Sequence, residues 1–66
     1  MEAIDVWRTA HVMLKEYGAE AELLAAQRAD ALLDLGDPEG FAVWKRVVAA
    51  IVDLERKKPS GSEPMN

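Results

Sequence analysis

Apolar residues recur along this chain at spacings of three and four, which is the period of an amphipathic α-helix. Three such segments are separated by Gly18 and Gly36, and each glycine follows an apolar residue at the expected end of a periodic run. Glycine readily adopts the left-handed conformation that ends many helices. The pattern therefore predicts helices over about residues 3–17, 19–35 and 38–57.

The best-defined boundary is Asp37-Pro38-Glu39. Aspartate is a favoured N-cap, proline is favoured at the first helical position, and a carboxylate in the first turn lies near the positive end of the helix dipole. We therefore expect the third helix to begin here. The segment 58–66 contains two prolines and few apolar residues, so we expect one domain over 1–57 followed by a disordered, flexible tail.

The second helix is apolar over more than half of its circumference. The residues that span this arc are Ala21, Leu24, Ala25, Ala26, Ala29, Ala31, Leu32, Leu33 and Leu35. The other two helices each carry one stripe: Ala3, Trp7, Ala10, Leu14 and Tyr17 in the first, and Phe41, Trp44, Val47, Val48, Ile51 and Leu54 in the third. A helix with so broad an apolar arc needs neighbours on two sides. Because short connections make consecutive helices antiparallel, we expect an all-α fold with a compact up-down-up arrangement of three helices, the second being central. An alternative docks the first helix on a second subunit.

Composition narrows the classes of function. The 66 residues support one small domain with a marginal core, and the absence of cysteine excludes disulfides and thiolate metal sites. A net charge of −4 opposes attraction to nucleic-acid phosphates and anionic lipids. The acidic first residues and the lack of an apolar run of about 20 residues indicate neither a secretion signal nor a membrane span. We expect a soluble, cytoplasmic protein with no membrane contact.

Charge is unevenly distributed along the chain. Residues 19–40 contain six acidic residues and one basic residue, whereas residues 41–58 contain five basic and two acidic ones. The second and third helices are therefore matched as antiparallel partners. Exposed ion pairs contribute only about 0–1 kcal/mol each, so this match biases the pairing without supplying the stability.

Three stretches carry a recognisable combination of residues. They are Asp5-Val6-Trp7-Arg8-Thr9-Ala10; Arg28-Ala29-Asp30 with Leu32-Leu33 and Gly36-Asp37; and Ala42-Val43-Trp44-Lys45-Arg46-Val47 with Ala49-Ala50-Ile51. These stretches fall within residues 4–59 and resemble a family of very short bacterial proteins known only as a domain of unknown function. The resemblance implies a bacterial, soluble, helical protein, and it implies no catalytic or binding residue.

Arg28 is the leading candidate for an interaction residue, because its helical angle places it inside the apolar arc of the second helix. A charge in such a position needs a partner or access to water. We expect its aliphatic stem to cover the core while its guanidinium reaches Glu55, Asp5 or solvent. The alternative is an anion contact in a groove or an ion pair across a subunit interface.

Two tryptophans and the single histidine are further candidates. Trp7 and Trp44 lie at core-facing positions, but two tryptophans are generous for three short helices, so we expect at least one to be partly exposed at an interface. His11 has no second histidine or cysteine to complete a ligand set. We therefore expect no metal or other cofactor, and we assign His11 to the edge of the apolar stripe.

The third helix and the size of the chain bear on two further classes of function, DNA binding and catalysis. Arg46 forms a basic spot with Lys45 on the third helix. If the chain bound DNA, this helix would be its recognition helix. The second helix beside it is acidic, which makes nucleic acid an unfavoured partner. Catalysis is not expected, because both serines lie in 58–66. A chain of this size also leaves little volume for a pocket of roughly a few hundred Å³.

The sequence therefore predicts a non-enzymatic helical protein that docks on a protein partner or self-associates, a homodimer being one such form. Two alternatives stay open. One is a DNA-binding transcriptional regulator that uses the third helix. The other is a tetratricopeptide-like interaction fragment, because Gly36-Asp37 followed by Trp44 is similar to such helical hairpins, which need stacking partners.

Overall fold

The computed structural model describes the backbone of residues 3–57 and the side chains of residues 5–56. It contains α1 (Ala3–Tyr17), a 3-10 turn (Gly18–Glu20), α2 (Ala21–Asp34) and α3 (Pro38–Lys57). The predicted all-α class is confirmed for this part of the chain, in which there is no strand. The predicted tail lies outside the described residues.

The first predicted connection is itself helical. Gly18 has a φ of +57° and opens the 3-10 turn, after which α2 follows without a non-helical residue. Residues 3–57 therefore form two uninterrupted helical stretches, 3–34 and 38–57, and not three separate helices as predicted. A glycine in the sequence indicates that the backbone can adopt a left-handed conformation. It does not indicate whether a loop or a 3-10 turn follows.

The connection from α2 to α3 is as predicted, and it uses very few residues. The Gly36 amide donates to the Leu33 carbonyl at 3.0 Å and the Asp37 amide donates to the Leu32 carbonyl at 2.9 Å, which closes α2 in a Schellman motif. Gly36 supplies the positive φ of +81° that this motif requires. The Asp37 carboxylate then accepts a hydrogen bond from the Gly40 amide at 3.0 Å and caps α3.

The α2–α3 hairpin has a regular antiparallel register. A Leu32 methyl group approaches Gly40, and the Arg28 guanidinium lies over the Trp44 ring. Moving four residues towards the N-terminus of α2, from Leu32 to Arg28, thus corresponds to moving four residues towards the C-terminus of α3, from Gly40 to Trp44. Continued inward, this register leads to the fully buried residues of the same core cluster, namely Ala21, Ala25, Val47 and Ile51.

The central segment is α3, and the prediction that the second helix is sandwiched is wrong. Helix α3 packs against both α1 and α2, which contact each other much less. In α2 the buried residues are alanines only, Ala21, Ala25 and Ala29, while Leu35 is 80% exposed. Alanine recurs all round this helix, so a broad apolar arc does not reveal which narrow stripe the fold buries.

The buried face of α1 is rotated relative to the predicted stripe. Val6 and Ala10 are buried, and Met13 and Leu14 pack against the core. Trp7, by contrast, is 40% exposed. The core therefore follows Val6, and it leaves the indole at the edge of the α1–α3 contact.

Candidate functional site

An open groove of about 580 Å³ lies between α1 and α3. Its lining residues are Val6 and Trp7 from α1, and Arg46, Ala49, Ala50, Val52, Asp53 and Arg56 from α3. Most of these side chains are apolar, and the charged ones all come from α3. Such a surface suits a partner that presents apolar side chains and matching charge.

The groove exists because α3 presents small residues opposite the large Trp7 side chain. Ala50 is buried and Ala49 is exposed, so nothing longer than a methyl group projects from α3 at these two positions. The expectation that so small a chain leaves little pocket volume is therefore wrong. The volume lies between two helices at the surface and does not require a cavity within the core.

The charges of the groove are arranged along α3. Arg46 and Arg56 are both exposed and ten residues apart, which corresponds to about 15 Å along a helix. Asp53 lies between them, is half-buried, and already takes part in an interaction within the chain. The groove is therefore largely apolar, with an exposed arginine side chain towards each end.

Two of the predicted interaction residues, Trp7 and Arg46, come together in this groove. Sequence reasoning missed Ala49, Asp53 and Arg56. The signal was present in their spacing, since positions 46, 49, 53 and 56 share one face of a helix. It was overlooked because Arg46 was considered as a basic spot with Lys45 and not as part of a surface shared with α1.

Arg28 and Trp44 meet in a second, smaller groove of about 360 Å³, which Met13, Tyr17 and Leu24 complete. The Arg28 guanidinium carbon lies 5.7 Å from the Trp44 ring centroid. Of the three predicted surroundings of the guanidinium, namely Glu55, Asp5 and solvent, the structure shows solvent, since Arg28 is exposed, and it adds a contact with Trp44 that we did not predict. The α2–α3 register keeps Glu55 away from the guanidinium, because Glu55 follows Trp44 by 11 residues, or about 16 Å along α3.

His11 is exposed on α1 and lies one helical turn beyond Trp7. It lines neither of the two grooves described above. Over the described residues no three histidine, aspartate or glutamate side chains gather in a metal-binding group. His11 is therefore not joined to either set of candidate residues.

Two findings bear on the class of protein. Between residues 3 and 57, no helix combines the length and the apolar content needed to cross a bilayer. No family model, curated protein or solved structure matches this chain.

Proposed function

We propose that this chain is a non-enzymatic protein-interaction domain that binds an amphipathic helix of a protein in its α1–α3 groove. The observation that carries the proposal is the 40% exposure of Trp7 at a groove lined by alanines and bordered by arginines. Tryptophan and arginine are the residue types that most often dominate binding energy at protein interfaces. In this proposal the domain is cytoplasmic.

The architecture that we propose for the function is the compact up-down-up arrangement of three helical segments. In it α3 is shared by the hairpin with α2 and by the groove with α1. The small buried core supports an interaction role, since a chain with few large buried side chains gains stability from a bound partner. Val47 and Ile51 are the largest fully buried side chains among the described residues.

The groove favours this function over the two alternatives. Arg46 shares the groove with Trp7 and Asp53, and the Lys45 ammonium lies 5.9 Å from the Phe41 ring centroid. Neither arrangement is the continuous basic face that DNA binding calls for. A tetratricopeptide-like fragment would bind in a groove formed by its first two helices, and the smaller groove has such a lining, with Met13 and Tyr17 from α1 and Leu24 and Arg28 from α2. The present proposal rests on the larger groove, to which α2 contributes no residue.

The test is a titration of the nitrogen-15-labelled chain with a synthetic helical peptide that has leucines on one face and glutamates beside them. The two indole N–H signals separate the candidate sites. We expect the Trp7 signal to shift and to saturate at micromolar peptide, while the Trp44 signal shifts little. A Trp7 signal that does not move at about 1 mM peptide, a concentration at which only about 4 kcal/mol of binding free energy is needed, would overturn the proposal.

Matched variants locate the binding. Ala49→Glu introduces a carboxylate and extra volume into the groove, whereas Ala42→Glu makes the same change at another exposed position of α3. We expect the first variant to lose binding and the second to retain it. A peptide in which lysines replace the glutamates should bind more weakly, because it meets Arg46 and Arg56 with like charge.

A further inference from the structure

The outer face of α2 has the features that the groove would recognise. Leu23 and Leu33 are 59% and 48% exposed, and the exposed carboxylates of Asp30 and Asp34 lie beside them on the side of the helix that faces away from the buried alanines. Arg28 is the single basic residue of α2, and its guanidinium lies over Trp44. This outer face of α2 is therefore apolar and acidic.

The groove and the outer face of α2 also match in length. Leu23 and Leu33 are ten residues apart, as are Arg46 and Arg56, so both features extend over about 15 Å of helix. The groove supplies guanidinium groups and an exposed indole, while α2 supplies carboxylates and leucines. A net charge of −4 opposes the approach of two copies, so any attraction between them must come from such local complementarity.

We propose that the α1–α3 groove accepts the outer face of α2 from a second copy of this chain. This inference rests on the proposed function and names the groove's occupant. The two surfaces share no residue, so the contact is heterologous: the groove of one copy binds α2 of another. Two such contacts close a symmetric dimer if each copy engages the other, and otherwise they build a ring or an open chain.

The test uses one variant for each side of the contact. Ala49→Glu damages the groove and leaves α2 intact, while Leu33→Lys reverses the character of α2 and leaves the groove intact. In sedimentation velocity over a concentration series, we expect each variant alone to raise the dissociation constant at least about tenfold relative to the wild-type chain. Ala42→Glu, outside the groove, should associate as the wild type does.

Mixing the two variants in equal amounts is the decisive step, because each one carries the surface that the other has lost. We expect the mixture to form a heterodimer, which also shows that both variants are folded. Failure of the mixture to associate, an Ala49→Glu variant that associates like the wild type, or a wild-type chain that stays monomeric at about 1 mM would each overturn the inference. If the acidic peptide still shifts the Trp7 signal in that case, the groove binds a helix of another protein and the proposed function stands.

Discussion

The Arg28 guanidinium lies over the face of the Trp44 indole, with 5.7 Å between the guanidinium carbon and the ring centroid. This contact follows the Leu32–Gly40 approach by one step in the antiparallel register of α2 and α3. It allows a cation to sit within an apolar arc without an ion pair, because the negative face of the ring attracts the charge. Arg28 thus lies over a half-buried tryptophan, in the same register as the rest of the hairpin.

Replacing Arg28 with methionine removes the charge and retains an apolar stem. An exposed cation over an aromatic ring contributes about 0.5–1 kcal/mol, so we expect Arg28→Met to lower the free energy of unfolding by that amount. A double-mutant cycle with Trp44→Leu, followed by urea denaturation, should assign the same energy to the pair. The control is Arg8→Met, an exposed arginine of α1. A cycle for Arg28 no larger than that for Arg8 would show that the stacking contributes nothing.

Gly40 should be a helix position where alanine is not an improvement. Alanine normally stabilises a helix interior by about 1 kcal/mol relative to glycine. Here an added Cβ would lie 2.5 Å from Oδ2 of Asp37 and 3.2 Å from a Leu32 methyl group. The carboxylate would have to turn away and give up a cap worth about 0.5–2 kcal/mol. We therefore expect Gly40→Ala to lower the melting temperature.

The effect of Gly40→Ala on the melting temperature should change sign when the Asp37 cap is absent. In an Asp37→Ala background the carboxylate that obstructs the new Cβ is gone, so Gly40→Ala should raise the melting temperature. Circular dichroism melts of the four chains give both effects directly. An equal effect in the two backgrounds would mean that Asp37 and Gly40 act independently, contrary to their 3.0 Å hydrogen bond.

The alanine stripe of α2 should tolerate no larger side chain. Ala25 is fully buried within the core cluster, and an added isopropyl group there would force α2 away from α3. We expect Ala25→Leu to destabilise the fold by about 1–3 kcal/mol in urea denaturation, the usual effect of overpacking. Ala31→Leu makes the same change at an exposed position of the same helix and should stay within about 0.5 kcal/mol of wild type. Comparable losses at both sites would contradict the assigned face.

Substitution of Gly18 should be limited by its backbone conformation and not by steric clashes. Its φ is +57°, and apart from its two chain neighbours no atom of the described residues would lie within 4 Å of an added Cβ. The left-handed conformation costs an L-residue about 1–2 kcal/mol, so we expect Gly18→Ala to lower the free energy of unfolding by about that amount. Gly18→Asn should cost less, because asparagine adopts this conformation more readily. Equal losses for alanine and asparagine would point to a steric cause.

The sequence predicted the ends of the elements better than their packing. Asp37, Pro38 and Gly36 each act through their own backbone preferences, and the α2–α3 turn forms as those preferences indicate. The identity of the central segment could not be predicted in this way. It depends on how closely α2 approaches α3, and therefore on which of several alanines face the core.

The candidate site was predicted in part, for the same reason. Trp7 and Arg46 were singled out individually, but their meeting depends on the rotation of α1 towards Val6. The volume of the groove depends on Ala49 and Ala50. Alanine has no reactive or charged group that would mark these positions in the sequence. The contribution of these two small residues to a groove can be recognised only when the positions of both helices that form it are known.

In the proposed assembly a helix lies in the α1–α3 groove, and α2 of a second copy is its occupant. The chain contains no cysteine, so Gln27→Cys on the exposed side of α2 can carry a single spin label. This labelled chain is mixed with unlabelled, nitrogen-15-enriched wild type, and intermolecular broadening of the amide signals is measured. We predict broadening at Trp7, Arg46 and Ala49. Broadening confined to α2 residues, or no broadening at all, would contradict the proposed assembly.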